Sequence, residues 1–344
     1  MEYIDIIKDN VENNTPVKWW PKFAYHHTDV SNAVNILSTG FLYSRDNAKK
    51  MGLMINDNAS RQVIDMTNIS VLSNVRFYFR PLTPTQYYNE GYKHPALRYD
   101  KDNKANIPVP VFFLFDLAKL LSLKGVKFSE RRQAGSGAEL YEGVEAFSKL
   151  DFKKIYSIGF DNFEENKPYR HAEILHPDSM RIDSCIDTIL CRNSVERMTL
   201  LNLLREKNPL QYRTYKDRIK ICKSDMFEYN GLYITECNFY NNTLIVRFSD
   251  TSNKRNYTNS QMRKHNLDKL EPLTVKVVLD WYTTKNLYEH KETTTIIEYD
   301  DINAITFSKL PTVPNAKFLR VMVYIEENLM CCVEHSLEQT EIIK

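Results

Sequence analysis

Hydrophobic and polar residues are patterned differently in the two halves of the chain. Up to about residue 205, short apolar runs typical of strands are interspersed with segments of helical period. After residue 224, runs rich in β-branched and aromatic side chains follow one another, separated by polar, Asn-rich turns. The pattern predicts an α+β chain with a mixed α/β domain over 1–205, a basic linker or helix over 206–223, and an all-β domain, sandwich- or barrel-like, over 224–344.

The same pattern locates individual elements. In the first half, helices are predicted at 31–37, 116–123, 139–147 and 194–205, and strands at 75–79, 110–115, 171–176 and 188–191. In the second half, strands are predicted at 232–239, 243–248, 274–283, 293–299, 304–307 and 318–325, and a frayed helix over the acidic tail 326–344. Gly40 is suited to end the first helix, and Thr83 followed by Pro84 is suited to begin another.

Composition excludes several classes of protein. The 344 residues are 42% hydrophobic and 26% charged, as in soluble globular proteins, and no run is long and apolar enough for a membrane helix. The charged N-terminus lacks the apolar core of a signal peptide, so we expect a cytoplasmic protein. Neither a P-loop nor a dinucleotide-binding glycine motif occurs, and six cysteines without a CxxC pair make a metal site or a disulfide framework improbable.

Positive charge is concentrated locally although the net charge is only +2. Residues 205–223 contain seven Lys or Arg against two acidic residues, with two tyrosines interleaved, and 254–269 form a second basic patch. Basic residues mixed with aromatic ones are suited to a nucleic-acid backbone and stacked bases. Arg213 and Lys216 are therefore candidate nucleic-acid contacts, although a solvated helix face would give the same pattern.

Two polar segments near the N-terminus are candidates for a binding site. In Phe23–Thr28, His26 and Thr28 are two apart on a predicted strand and point the same way, so they could bond one ligand edge. The alternative is a histidine satisfied in the core. In the polar stretch 58–62, the single arginine, Arg61, could hold a phosphate with its planar fork, or be an ordinary surface residue.

Two further segments follow along the chain. Tyr78 lies on the opposite strand face from Phe77 and Phe79, whose side chains are expected in the core, and is freer to line a site. Glu173 lies between apolar neighbours, on the same predicted face as His171 and Leu175. A carboxylate in such a run is either a charge on an edge strand or a functional acid.

Taken in this order, the four segments resemble the DarT family of DNA-base ADP-ribosyltransferases. The similarity rests on Y-H-H-T at 25–28 with the helix that ends at Gly40, the loop with Arg61, F-Y-F-R-P at 77–81 and A-E-I-L at 172–175. It covers about residues 19–205. Residues 82–83 are Leu-Thr where the family usually has Arg-Ser, and residues 205–344 have no counterpart in it.

The resemblance implies an activity and roles for residues. The enzyme would use NAD as co-substrate, release nicotinamide and transfer ADP-ribose to a base of single-stranded DNA, with no metal. Glu173 would stabilise the oxocarbenium-like centre at the ribose, and Arg61 would grip the pyrophosphate or help to deprotonate the acceptor. The residues that would hold NAD are His26, His27, Thr28, Asn35, Tyr43 and Tyr78. Those that would contact the nucleic acid beside Glu173 are Ser129, Arg131 and Arg132.

The resemblance also implies a biological setting, a toxin of a bacterial toxin–antitoxin or anti-phage system with a cognate antitoxin that often contains a macrodomain. Because residues 128–133 do not match the thymidine-modifying members, the identity of the modified base stays open. ADP-ribosylation of RNA or protein is one alternative. A catalytically silent protein that binds or senses nucleic acid is another, which the retention of His26, Thr28 and Glu173 together disfavours.

Overall fold

The computed structural model describes residues 1–56, 65, 69–99, 106–133, 138–159, 162–284 and 286–337. Its α-helices are α1 (Tyr3–Asp9), α2 (Val30–Thr39), α3 (Arg45–Lys50), α4 (Ile69–Leu72), α5 (Pro84–Asn89), α6 (Leu117–Leu121), α7 (Val144–Phe147), α8 (Phe152–Ile155), α9 (Phe163–Asn166), α10 (Ser194–Lys207), α11 (Pro209–Tyr215) and α12 (Ser252–His265). A π-helical turn covers Asn10–Asn14, and 3₁₀ turns cover Trp20–Lys22, Pro95–Leu97, Tyr169–His171 and Ile182–Ser184.

The strands fall into four sheets. They are β1 (Phe23–Asp29), β2 (Phe41–Tyr43), β3 (Asn74–Tyr78), β4 (Pro110–Asp116), β5 (Lys127–Ser129), β6 (Glu173–Pro177), β7 (Ser179–Arg181), β8 (Ile186–Cys191), β9 (Ile219–Ile221), β10 (Ile234–Tyr240), β11 (Thr243–Phe248), β12 (Leu273–Tyr282), β13 (Leu287–Ile297), β14 (Ala304–Phe307), β15 (Phe318–Ile325) and β16 (Asn328–Ser336). The chain is α+β as predicted, with mixed structure first and further β-sheets after it.

A seven-stranded sheet in the order β5-β6-β3-β1-β4-β8-β9 forms the centre of the first half. Its pairs are antiparallel except for the parallel pair of β8 and β9. β4, predicted from the continuous apolar run at 110–115, is buried along both faces except at its last residue. β2 and β7 form a separate antiparallel pair.

The helix boundaries near the middle of this half follow from their capping residues. The Asp29 carboxylate accepts the backbone N–H of Ser31 at the start of α2, and Gly40 ends the helix with φ 74°, a conformation that favours glycine. Thr83 accepts the N–H of Gln86 at the start of α5. The helix predicted at 31–37 is confirmed to within two residues at each end, and α5 begins at Pro84 after its Thr83 cap as predicted.

Two local predictions in the first half are wrong. Residues 138–143 are not helical, because Tyr141 exchanges two backbone hydrogen bonds with Phe128 and so extends the edge of β5. β6 begins only at Glu173, and His171 belongs to the preceding 3₁₀ turn, so it does not share a strand face with Glu173.

In the second half, a three-stranded sheet (β10-β11-β14) and a four-stranded sheet (β13-β12-β15-β16) enclose a second hydrophobic core. The strands predicted at 243–248, 304–307 and 318–325 have those bounds, and those at 232–239, 274–283 and 293–299 overlap observed strands. Two predictions fail here. The pattern predicts only strands and turns where α12 lies, and the tail predicted as helix contains β16.

Both failures have physical reasons. α12 buries Lys254, Tyr257, Thr258 and Gln261, so its inner face is polar and aromatic and carries no apolar helical period. β16 has α10 packed against it: the Thr199 hydroxyl accepts the N–H of Cys332, and the Asn202 amide donates to its carbonyl. These bonds cover the free edge of β16, and its four central residues, Met330–Val333, are all buried, which explains why the strand has no apolar–polar alternation.

The two halves meet in a region that belongs to both. Tyr92 and Leu232 exchange backbone hydrogen bonds of 2.9 and 2.8 Å. Next to them Gly91 and Gly231 touch backbone to backbone: a Cβ on Gly91 would lie 2.9 Å from the Gly231 Cα. Tyr92 and Leu97 lie in the second core, and β9, from the predicted linker, extends the first sheet. The domain boundaries at 205 and 223 therefore stay a prediction.

Four buried ionisable residues and one that is partly buried, Glu228, lie at this meeting point, and we call them the junction cluster: Glu90, Lys93, Arg192, Glu196 and Glu228. The guanidinium of Arg192 is bonded to Glu196 and lies 3.4 Å from Glu90, with all three side chains at most 1% exposed. Glu90 also accepts the backbone N–H groups of Glu228 and Tyr229 at 2.9 and 3.0 Å. Burial, with Glu90 nearby, raises the pKa of Glu228 to about 8.

No helix within the described ranges is both long and apolar enough to cross a membrane.

Candidate active site

A pocket opens beside the central strands of the seven-stranded sheet, between β1, β3, α2 and the segment that runs through β2 and α3. All six residues expected to hold NAD line it: His26, His27, Thr28, Asn35, Tyr43 and Tyr78. The alternation along β3 places Asn74, Arg76 and Tyr78 on the pocket side, while Phe77 is fully buried in the core. The expected separation of Tyr78 from its phenylalanine neighbours is confirmed.

At the base of the pocket, Glu173 and Arg76 form a bidentate ion pair. Nε and one terminal nitrogen of Arg76 each lie 2.8 Å from a Glu173 carboxylate oxygen. β3 and β6 are paired so that Tyr78 lies opposite Glu173, which brings the acid to the arginine's side of the sheet. The Glu173 side chain is 2% exposed and that of Arg76 26%, so the arginine faces the pocket with the carboxylate behind it.

This pair fixes the charge and direction of both groups. Burial alone would lower the pKa of Arg76, but the Glu173 carboxylate outweighs burial and raises it. Burial, together with the charge of Glu173, also raises the pKa of Tyr78. Sequence reasoning missed Arg76, although its spacing of two from Tyr78 on one strand was a signal that could have found it.

The two adjacent histidines are uncharged at neutral pH. Burial lowers the pKa of His26, and burial with the nearby His26 and Arg192 lowers that of His27 to about 3. His26 Nδ1 lies 3.1 Å from the Arg76 carbonyl oxygen, which can only accept, so Nδ1 carries the proton and Nε2 is left as an acceptor.

The ring of His27 is stacked on Phe112 with centroids 4.5 Å apart. Its Nε2 is buried and has no hydrogen-bond partner among the residues that the structure describes. A buried polar atom without a partner lowers the stability of the fold, so a ligand that forms a hydrogen bond with this nitrogen would remove that cost.

The opposite wall comes from α2. The Asn35 amide donates to the Leu53 carbonyl at 2.6 Å, and its oxygen accepts from the Lys207 ammonium. The Asn32 side-chain oxygen accepts the backbone N–H groups of Ile55 and Asn56, and its amide donates to the Asn56 carbonyl at 2.7 Å. These two asparagines thus hold the segment after α3 against the pocket. Burial raises the pKa of Asp29, which caps α2, to about 6.

A second arginine that sequence reasoning missed lies deeper. Arg80 is 3% exposed, lines the pocket, and donates to the carbonyls of Pro81 and Ile155 at 3.0 and 3.1 Å and to that of Ser157. Burial and the neighbouring Arg170 lower its pKa to about 9. Strand alternation would put Arg80 on the same side as Tyr78 only if the strand continued past Phe79, the last residue of the predicted strand, so the pattern did not indicate Arg80.

The nucleic-acid candidates divide into two groups. Ser129 lies opposite Glu173 in the β5–β6 pair, is buried, and donates to the Arg131 carbonyl at 2.8 Å. Arg131 and Arg132 are exposed at the same edge, and the Arg131 guanidinium lies 4.6 Å from the centre of the Tyr169 ring. These three are brought to the Glu173 side of the site.

The second group is not brought to the pocket. Arg213 on α11 and Lys216 just after it are exposed and do not line it. Arg61, expected at the pyrophosphate, lies outside the described residues. Within those residues, no group of three His, Cys, Asp or Glu side chains is arranged to hold a metal ion.

A family model described as "ssDNA thymidine ADP-ribosyltransferase, DarT" matches residues 25–227, more than half of the chain. The chain belongs to the DarT family. It is therefore an ADP-ribosyltransferase that uses NAD as co-substrate. The match covers the whole pocket and Glu173 and ends just before the strands of the second half, so the family accounts for the site and not for the C-terminal sheets.

Solved structures of DarT proteins are similar to somewhat more than half of the chain. Thermus sp. 2.9 DarT in complex with ADP-ribosylated ssDNA is 18% identical, over 60% of this chain and 96% of that one, with a TM-score of 0.48. The same protein in complex with NAD+ is 18% identical, over 60% of this chain and 98% of that one, with a TM-score of 0.46. Thermosipho africanus DarTG in complex with ADP-ribose is 14% identical, over 54% of this chain and 47% of that one, with a TM-score of 0.42. No curated protein sequence matches the chain.

Proposed function

We propose that this protein transfers ADP-ribose from NAD to a base of single-stranded DNA. The observation that carries the proposal is the Glu173 carboxylate, held in a fixed direction by Arg76 at the base of a pocket lined by the Y-H-H-T strand. Family membership supplies the donor and the class of reaction. The acceptor and the role of each residue are our proposals.

The reaction exchanges one bond at the ribose anomeric carbon for another. The bond from this carbon to nicotinamide breaks, nicotinamide leaves with the electron pair, and a nitrogen of the base attacks and loses its proton. Positive charge develops at the sugar on the way, as in glycoside hydrolysis. A carboxylate beside the sugar stabilises that charge and accepts a hydrogen bond from a ribose hydroxyl, which is the role we assign to Glu173. Arg76 is the positioning residue for this carboxylate.

The neutral histidines are suited to the nicotinamide end of NAD. The His27 Nε2 without a partner and the His26 Nε2 acceptor can bond the carboxamide group. A protonated ring would place positive charge beside a cationic nicotinamide and a developing cation, so burial that keeps both rings neutral favours the reaction. We assign Thr28, Asn35, Tyr43 and Tyr78 to the rest of the NAD molecule. From the family resemblance, we keep Arg61 as the pyrophosphate or acceptor residue.

The acceptor is expected at the edge where β5 meets β6. A base must leave its stack to reach such a pocket, which makes single-stranded DNA the cheaper substrate. The exposed Arg131, held over the buried Tyr169 ring, provides a cation at this edge that can attract the backbone of a single strand. Ser129 and Arg132 would complete this contact, and the exposed Arg213 and Lys216 would meet the strand further away.

The test is incubation with labelled NAD and four single-stranded oligonucleotides, each offering one base, beside a Glu173→Gln control. Since the family description names thymidine, thymine is the first base to examine. We expect label on one oligonucleotide with the wild type and none with the variant. NAD consumption without label on any DNA would contradict the acceptor assignment and favour RNA or protein.

We further propose that the activity is toxic to the cell that makes it and is controlled by a cognate antitoxin, in some cases one with a macrodomain that removes ADP-ribose. This follows from the family resemblance and from the chemical damage that a modified base represents. Induced expression should arrest growth with the wild type but not with Glu173→Gln. Equal growth of the two strains at equal protein levels would contradict the toxin role.

A further inference from the structure

Three tyrosines form a ladder between the pocket and the second half of the chain. Tyr87 and Tyr88 follow the pocket-lining residues Thr85 and Gln86 on α5, with ring centroids 5.2 Å apart. Tyr99 continues the ladder 4.9 Å from Tyr88. Tyr87 is 36% exposed, and the other two are partly exposed. The ladder therefore begins at the rim of the active site and leaves part of each ring accessible to solvent.

The ladder leads to α12, a helix of unusual composition. Ser252–His265 contains no acidic residue. Its exposed side chains are Ser252, Asn253, Arg255, Asn256, Asn259, Ser260, Arg263 and Lys264. The Lys264 ammonium lies 5.9 Å from the centre of the Tyr99 ring, so the C-terminal turn of the helix, which carries basic side chains, lies beside the ladder. Arg255, at the other end, is paired with Asp250.

The inner face fixes this helix in place. Tyr257 is buried, with its ring 5.4 Å from that of Tyr87 and its hydroxyl donating to the Leu97 carbonyl at 3.2 Å. The Lys254 ammonium donates to the Tyr299 carbonyl at 2.7 Å. The cations on the outer face are therefore carried by a rigid element that is tied to α5, the helix that lines the pocket.

We propose that α12 and the tyrosine ladder bind the single-stranded DNA that flanks the modified base. This rests on the proposed function and gives the second half of the chain, which lies beyond the family match, a part in holding the substrate. Arg263 and Lys264 would contact phosphates, and exposed asparagines can donate to phosphate and sugar oxygens. Tyrosine rings accept unpaired bases of any sequence by stacking, a mode that paired bases cannot use.

The test measures DNA binding without the reaction. A fluorescein-labelled 20-nucleotide single strand is titrated without NAD, and anisotropy gives the Kd for the wild type and for the double variant Arg263→Glu/Lys264→Glu. Both side chains are exposed, so folding is expected to be unaffected. We expect Kd to rise at least about tenfold, with a shallower salt dependence, since each lost phosphate contact removes about one unit of slope. The control is Lys291→Glu, an exposed charge reversal on β13.

Tyr99→Ala tests the stacking half of the proposal and should weaken binding of the strand about tenfold, within the range measured for loss of one base–aromatic stack. An unchanged Kd in the charge-reversal variant, or an equal loss with Lys291→Glu, would overturn the assignment. Tighter binding of single-stranded RNA of the same length would overturn the choice of DNA. Because no NAD is present, these results do not depend on whether the transferase proposal holds.

Discussion

Two groups of buried charges in this molecule differ in what surrounds them. In the junction cluster, charged groups are bonded to protein partners and the Glu90, Arg192 and Glu196 side chains are at most 1% exposed. In the pocket, Glu173 and Arg76 are equally well paired, but Arg76 is 26% exposed and the nearby His27 Nε2 has no partner in the described part of the chain. The junction cluster, which is closed to solvent, connects two halves of a fold. The charged pair in the pocket is accessible and lies near a polar atom that a ligand could bond.

The difference shows why a buried ion pair does not by itself mark an active site. Burying charge is costly wherever it occurs, and evolution retains it for structure as well as for chemistry. What separates the two groups is access together with an unsatisfied polar atom. We therefore expect loss of a charge to lower stability at the junction and activity in the pocket.

The largest expected effect is at the junction. Arg192→Met should lower the free energy of unfolding by about 3–5 kcal/mol, because it leaves the buried Glu90 and Glu196 carboxylates without their partner. Chemical denaturation measures this loss. The matched control Arg213→Met removes an exposed arginine and should change stability by less than about 0.5 kcal/mol. Similar losses in both variants would mean that the junction pairing contributes nothing specific.

Next in size is the effect of removing the pocket charge. Glu173→Gln keeps the shape and should reduce ADP-ribosyl transfer about 10²–10³-fold, the range found when one preorganised group that stabilises transition-state charge is removed. Initial rates with labelled NAD measure it. The melting temperature should fall less than in Arg192→Met, since the amide oxygen still accepts one of the two Arg76 bonds and Arg76 is partly exposed to water. A variant that loses stability and keeps its rate would reverse the comparison.

A smaller effect concerns the pH dependence of stability. The pKa of His27 is lowered to about 3 in the folded protein from an ordinary 6.5, so the unfolded chain binds the extra proton between these values. Its contribution to stability is complete above pH 6.5 and is lost as pH falls, by about 2.5 kcal/mol between pH 7 and pH 4.5. His27→Phe, which keeps the ring on Phe112, should remove this loss. Denaturation at both pH values, compared with the wild type, measures the difference.

Asp29 should show the opposite sign and a slightly smaller effect. Its folded pKa is raised to about 6 from 3.8, so the folded protein binds the proton first and gains stability as pH falls from about 6 toward 3.8. Asp29→Asn, which can still cap α2, should lose that gain of about 2 kcal/mol. In the wild type, the pH-dependent contributions of His27 and Asp29 to stability nearly cancel. If both variants shifted the pH profile in one direction, the environments described for these side chains would be wrong.

The sequence predicts the pocket better than the junction. Strand alternation and helix caps depend on neighbours in the chain, so β1, β3, α2 and the position of Tyr78 follow from the residues themselves. Arg76 was also within reach of the same alternation. The family resemblance supplied the role of Glu173, because an acid in an apolar run does not reveal whether it faces a site.

The junction and α12 could not be predicted in this way. Glu90 and Arg192 are 102 residues apart, and no local pattern announces that they meet. α12 buries tyrosine and polar side chains, so its period is invisible to a hydrophobic pattern, and its basic residues alone did not reveal a helix. The partners that determine both features are distant in sequence.

The contact between Gly91 and Gly231 has a consequence for folding during translation. The Glu90 carboxylate, next to this contact, is bonded to the backbone N–H of Glu228, 138 residues later. At about 5–20 residues per second, roughly 7–30 s pass between the synthesis of Glu90 and that of Glu228. The helix beside the pocket therefore acquires its final support late in synthesis, and a nascent or prematurely ended chain lacks it.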